Sequence, residues 1–151
     1  MWSETVRSEQ QAEYMIFPRL LALAERAWHS ASWSVAYNYQ GAKYDQSTAV
    51  FSNELRTQRD AQWQKFNSAL SLKELVKLER AGVFYRLPTV GALVENNTLK
   101  ANTSLFGLPI EYRHADGPWQ RYQGPVAVTK PIEIRATTHN GKRAGRSLTV
   151  Q

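Results

Sequence analysis

Five tryptophans and three histidines are the residues of this chain most able to do chemistry. Large rings either fill a core or stack on the apolar face of a sugar. The histidines, His29, His114 and His139, have no ligand-like spacing, and there is no cysteine to complete a set, so no metal site is expected. Asp45, Asp60 and Asp116 lie in polar or turn contexts. The glycines near the end sit among turn residues, not between a strand and a helix, so no phosphate loop is present. No nucleophile elbow occurs either. No cofactor is expected. Arg19, Glu25 and Arg26 are expected to form ion pairs on a helix, without a catalytic role.

The balance of residue types narrows the class. A length of 151 residues suits one domain or two small ones. Apolar residues at 42% and charged residues at 21% are ordinary for a folded chain. The net charge of +6 invites a nucleic-acid reading. The basic residues are scattered among acids such as Glu54, Asp60, Glu74, Glu79 and Glu133, and only Lys142, Arg143 and Arg146 cluster. A solvated basic surface accounts for that pattern, and no nucleic-acid partner is expected. Thiolate chemistry and disulfides are excluded. No run reaches the length of a membrane span. The first residues lack the basic-then-apolar pattern of a signal peptide.

These residues are carried by two kinds of pattern. Phe17, Leu20, Leu21, Ala24 and Trp28 fall at helical spacings of three and four, with Pro18 suited to the first turn. Residues 8–17 are read as a separate or kinked piece. Residues 30–47, rich in Ser, Tyr, Asn and Gln, read as a long irregular connection carrying Trp33, Tyr37, Tyr39 and Tyr44. Those rings either pack the loop onto neighbouring helices or form a stacking surface for sugar. A second helix is expected over residues 48–70, with Phe51, Leu55, Trp63, Phe66 and Leu70 on one face and Arg59 interrupting it. Ser71 and Glu74 have the spacing of a capping box, so a short third helix should complete a helical hairpin ending at Gly82.

Beyond Gly82 the period falls toward two. Short strands are expected at residues 83–86, 92–94, 98–101, 110–113, 119–122, 126–128, 132–136 and 147–150. Glu95-Asn96-Asn97, Asp116-Gly117 and Asn140-Gly141 mark turns. The pattern argues a β-sandwich with a core of Ile110, Tyr112, Trp119, Tyr122, Val126, Val128, Ile132 and Ile134. The fold class is α+β: a helical part over residues 1–82 and a sandwich over residues 83–151.

Two sets of residues resemble a known family. Trp2-Ser3-Glu4, then Phe17-Pro18-Arg19, Ala22, Ala24-Glu25-Arg26 and Trp28, resemble the end of the catalytic barrel in bacterial chitobiases, the β-N-acetylhexosaminidases of glycoside hydrolase family 20. Arg86-Leu87-Pro88, Gly91, Ala101-Asn102, the run from Gly107 to Arg113, Trp119, Tyr122 and the run from Gly141 to Arg146 resemble the immunoglobulin-like domain that ends those enzymes. The resemblance covers the whole chain. It implies the last helix of a truncated barrel, a helical connection and a small immunoglobulin-like sandwich.

The resemblance also implies a division of labour. In that family the substrate's own acetamido group attacks the anomeric carbon, while an adjacent Asp-Glu pair orients it and protonates the leaving oxygen. This chain has no Asp-Glu dipeptide, so no catalytic residue is expected in it. The matching positions imply that Trp2 lines the pocket for the terminal sugar and that Glu4 accepts from its hydroxyls. An indole face and a carboxylate suit those roles. The implied partner is a chitooligosaccharide or N-acetylglucosaminide bound by the parent enzyme. That parent is expected to be periplasmic, outer-membrane-associated or secreted, with its signal peptide far upstream. With its barrel strands missing, the stripe from Phe17 to Trp28 is expected to pack on Trp63, Phe66 and Leu70, or to self-associate. A stand-alone carbohydrate-binding or interaction module is the alternative reading.

Overall fold

The computed structural model describes residues 5–34, 52–129 and 131–151. The sequence expectations for Trp2, Glu4, Tyr37, Tyr39, Tyr44, Asp45 and Phe51 lie outside those residues.

Four α-helices come first among the described residues. α1 spans Glu9–Ile16 and opens on Ser8, whose hydroxyl accepts from the Gln11 N–H. α2 spans Arg19–Trp28. Pro18 stands just ahead of it, so the missing N–H costs no helical bond. α3 spans Asn53–Ala69, with Ser52 accepting from the Leu55 N–H. The chain does not then break for a hairpin. It continues through one wide π-helical turn, Leu70–Glu74, directly into α4, Leu75–Arg80. The Leu75 N–H reaches back five residues to the Leu70 carbonyl. The capping box expected at Ser71 is absent because Ser71 is buried and its hydroxyl donates to the Phe106 carbonyl instead. Gly82 does end the helix, at φ +77°. Its N–H bonds to the Glu79 carbonyl, and that of Val83 to the Leu78 carbonyl, which is the Schellman arrangement.

Residues 83–86 do not form the expected strand. Their polar groups are taken by the helices: the Phe84 N–H donates to the Glu13 carboxylate at 2.7 Å and the Arg86 N–H to the Phe17 carbonyl at 3.0 Å.

Seven strands follow among the described residues: β1 Gly91–Glu95, β2 Thr98–Asn102, β3 Ile110–His114, β4 Gln120–Tyr122, β5 Val126–Ala127, β6 Ile132–Ala136 and β7 Leu148–Val150. They make two antiparallel sheets, in the orders β1-β2-β5 and β4-β3-β6-β7. The β1–β2 turn puts Asn96 and Asn97 at φ +48° and +57°, the left-handed pair that a two-residue hairpin requires. Val94, Leu99, Ile110, Tyr112, Val128, Ile132, Ile134 and Ala136 are buried between the sheets, with Tyr122 and Val126 half-buried against them. This is the expected immunoglobulin-like sandwich core, with one correction. Trp119 is not in it. Its ring lies under two guanidiniums, 3.8 Å from Arg135 and 4.7 Å from Arg113. Those arginines pair in turn with Glu111 and Glu133, directly opposite across the β3–β6 ladder. The ring therefore closes a charged lattice beside β3 and β6.

A second core joins helices to sandwich. Leu70, Leu75, Tyr85, Leu87, Leu105 and Leu108 are buried together, and Phe17, Leu21, Phe66 and Leu78 pack against them. Phe17 and Leu21 of the stripe thus pack in the region of Phe66 and Leu70, as expected, whereas Trp63, the third expected partner, stays outside this core and half exposed. Leu20 and Trp28 do not pack there, since Leu20 is 44% and Trp28 is 92% exposed. Among the described residues, no helix is long and apolar enough to cross a membrane.

Candidate functional site

Two polar constructions hold the junction. The buried Asn67 amide uses both ends on one loop: it donates to the Ser104 carbonyl at 2.8 Å and accepts from the Phe106 N–H at 2.9 Å. Glu79 on α4 is the second. It accepts from the Tyr85 hydroxyl at 2.6 Å, the His139 N–H at 3.0 Å and the Asn140 N–H at 3.2 Å. His139 Nε2 lies 2.8 Å from the Ser71 carbonyl. Burial pushes the Tyr85 phenol well above the ordinary tyrosine range; the hydrogen bond to Glu79 and its negative charge add to this, and the Arg143 charge opposes it. Arg143 donates to the Tyr85 carbonyl at 2.7 Å and stacks over Phe84 and Tyr85. One member of the sole basic cluster seen in the sequence is thereby committed to structure. These groups sit under side chains or against backbone, and they act as fastenings.

A cleft of about 410 Å³ opens between α2 and α3. Trp33, Trp63, Phe66, Glu25, Asp60 and Gln62 are among its walls. Trp33 Nε1–H donates to Gln62 Oε1 at 2.7 Å, and the Arg26 guanidinium lies 5.0 Å from the centre of the Trp33 ring. Arg26 also donates to the Ser34 hydroxyl at 3.0 Å. Gln62 Nε2 faces His29 Nε2 at 3.3 Å. Trp63 is 52% exposed, and its ring is tilted 40° to that of Phe66 at 5.9 Å. The ion pairs expected around Arg19, Glu25 and Arg26 are not formed among the described residues: Arg26 stacks on Trp33 instead, and Glu25 lines the cleft with no side-chain partner among those residues.

The cleft was not foreseen as a site, because its halves lie far apart in the chain. Gln62 and His29 are separated by 33 residues. Two sequence signals point toward the cleft: Trp33 in a polar loop, one of the rings that could stack on sugar, and the expected approach of the α2 stripe to Trp63 and Phe66. Among the described residues, no group of three or more His, Asp or Glu side chains is placed to hold a metal ion. His114 Nδ1 lies 2.9 Å from the Thr129 carbonyl, so each of the three histidines faces a different protein partner.

Among the described residues, a short helical run leads into a seven-stranded antiparallel sandwich that is fastened to its last helices. Comparison with known families matches two separate stretches of the chain. Residues 1–31 match the family described as glycosyl hydrolase family 20, catalytic domain, and residues 74–147 match the chitobiase/beta-hexosaminidase C-terminal domain. The chain belongs to glycosyl hydrolase family 20 and corresponds to a C-terminal portion of its chitobiase/β-hexosaminidase members. It is 38% identical over 159 residues to a beta-hexosaminidase of Vibrio vulnificus, covering 99% of this chain and 18% of that protein. It is 37% identical over 153 residues to the N,N'-diacetylchitobiase of Vibrio harveyi, covering 100% of this chain and 17% of that protein. Over 70 residues it is 54% identical to beta-hexosaminidase B of Pseudoalteromonas piscicida, covering 46% of this chain and 9% of that protein. The chain thus spans less than a fifth of the length of the curated relatives it matches.

Proposed function

We propose that these residues are part of an exo-β-N-acetylhexosaminidase that releases terminal N-acetylglucosamine from chitooligosaccharides by substrate-assisted, retaining hydrolysis. The observation that carries this reading is the order of the two family matches, catalytic-domain residues 1–31 first and C-terminal-domain residues 74–147 after them. The name of the Vibrio harveyi relative, N,N'-diacetylchitobiase, supports the substrate class.

In this reading the acetamido group of the substrate is the nucleophile, so no enzyme carboxylate is consumed as one. The general acid and the orienting aspartate are an adjacent pair outside the 151 residues, which contain no Asp-Glu dipeptide. Trp2 covers the apolar face of the terminal pyranose, and Glu4 accepts from its hydroxyls. The parent works in the periplasm, at the outer membrane or outside the cell, where chitooligosaccharides are met. The exposed part of the α2 stripe rests on the barrel in the parent and favours self-association of the isolated chain.

Hydrolysis of a chromogenic N-acetylglucosaminide tests the reading. The purified chain should release no chromophore above background. The intact enzyme should hydrolyse it, and Trp2→Ala and Glu4→Gln should each cut its kcat/KM by about tenfold to a hundredfold, as expected for loss of one stacked ring or one charge-assisted bond. Robust turnover by the 151-residue chain alone, or an intact enzyme indifferent to both substitutions, would overturn it.

A further inference from the structure

We propose that the cleft between α2 and α3 is a second saccharide site, taking a pyranose that carries an acetamido group, separate from the Trp2–Glu4 motif. The choice of an N-acetylated sugar rests on the substrate class proposed above. The existence of a sugar site rests on the cleft itself.

A pyranose needs a flat apolar wall for its C–H face and fixed acceptors for its hydroxyls. The wall is Trp63, half exposed on α3 and braced by Phe66, which itself packs against the junction core. Trp33 stands in the same cleft and is held in advance. Its N–H is tied to Gln62, and the Arg26 guanidinium near its ring is tied to Ser34. Rings fixed before a ligand arrives lose little freedom on binding. The acceptors are the Glu25 carboxylate, without a partner among the described residues, and Asp60, which gives only Oδ1 to Arg59. Carboxylates accept strongly from sugar hydroxyls. Ala22 and Phe66 add apolar lining for an acetamido methyl. The volume of about 410 Å³ falls within the roughly 300–1,000 Å³ of small-molecule sites.

The position of the cleft on α2 supports its use in a larger protein. Ala22, Glu25, Arg26 and His29 share one face of the helix. Leu20, Leu23 and Ala27, all exposed, share the opposite one. A partner covering the leucine face leaves the cleft open.

The test is calorimetry of the purified 151-residue chain with chitotriose and, separately, with cellotriose, which lacks the acetamido groups. Chitotriose should bind and cellotriose should bind at least about tenfold more weakly. Trp63→Ala should weaken chitotriose binding by about tenfold, the worth of one stacking face, while Trp63→Phe retains most of it. Trp28→Ala, which removes an exposed ring outside the cleft, should leave binding unchanged. No heat with chitotriose, equal affinity for the two sugars, or binding indifferent to Trp63→Ala each overturns the proposal. Hydrolysis by the intact enzyme is measured separately, so an active enzyme whose C-terminal chain is silent toward chitotriose sinks this inference and leaves the proposed function standing.

Discussion

Tyr85 shows how much a single buried polar atom can determine. Its ring is fully buried and its hydroxyl is spent on Glu79. The folded chain holds that proton more tightly than the unfolded chain does. The resulting stabilisation is complete below the ordinary tyrosine value of about 10 and drains as pH rises above it. Tyr85→Phe should cost about 1.5–3 kcal/mol near neutral pH, the range for a hydrogen bond to a charged group. The gap between the two proteins should narrow above about pH 10. Urea unfolding at pH 7 and at pH 11 checks both statements, and a constant gap would refute the second. Trp119 makes a different point. The ring reads as core because it is large and adjoins a strand, yet its partners are Arg113 and Arg135. Trp119→Ala should cost about 1–2 kcal/mol, the sum of two partly exposed cation–π contacts, measured as a shift in the urea midpoint. Composition could not separate these uses of an aromatic ring. What distinguishes them is the row of charges opposite each other on β3 and β6, visible only once the strands are in register.

Local sequence signals match the structure where the partner is local. Asn96-Asn97 marks a hairpin because both residues tolerate a positive φ, and both adopt one. The alternation in residues 110–113 and 132–136 is the burial pattern of β3 and β6. Gly82 ends α4 in the left-handed region, with open space around its Cα. Gly82→Ala should therefore cost about 1 kcal/mol through backbone strain alone, read as a lower urea midpoint with an unchanged slope. The misreadings share one cause. Ser71 and Glu74 have the spacing of a cap, but the partner of Ser71 is 35 residues away at Phe106. Residues 83–86 have the composition of a strand, but the Phe84 N–H answers to Glu13, 71 residues earlier. Spacing reports neighbours along the chain, whereas these groups were claimed by neighbours in space.

Among the described residues, the molecule has two cores in series. One lies between the sheets, and the other ties helices to the loop carrying Leu105 and Leu108. That second core was not legible, since its members come from four separate stretches of sequence. The α2 surface is a different case, because its apolar stripe is plain in the sequence and what covers it is not. Leu23 at 66% and Trp28 at 92% exposure leave apolar surface for a partner. We expect the isolated chain to associate as its concentration rises, and Leu23→Glu to return it to a monomer. Sedimentation velocity across a hundredfold dilution series would show this, and a wild-type chain that stays monomeric throughout would count against it.

The π-helical turn at Leu70–Glu74 sets the phase between two halves of one long rod. A helix advances about 100° per residue, so a single surplus residue swings everything downstream by that angle. Asn67 and Ser71, ahead of or within the wide turn, grip the loop at Ser104 and Phe106. Glu79, beyond it, grips the turn at His139 and Asn140. With regular winding, one of those handholds would rotate away from the sandwich. The irregularity is thus a timing device in the coil, which lets one rod clasp two separate points on its neighbour.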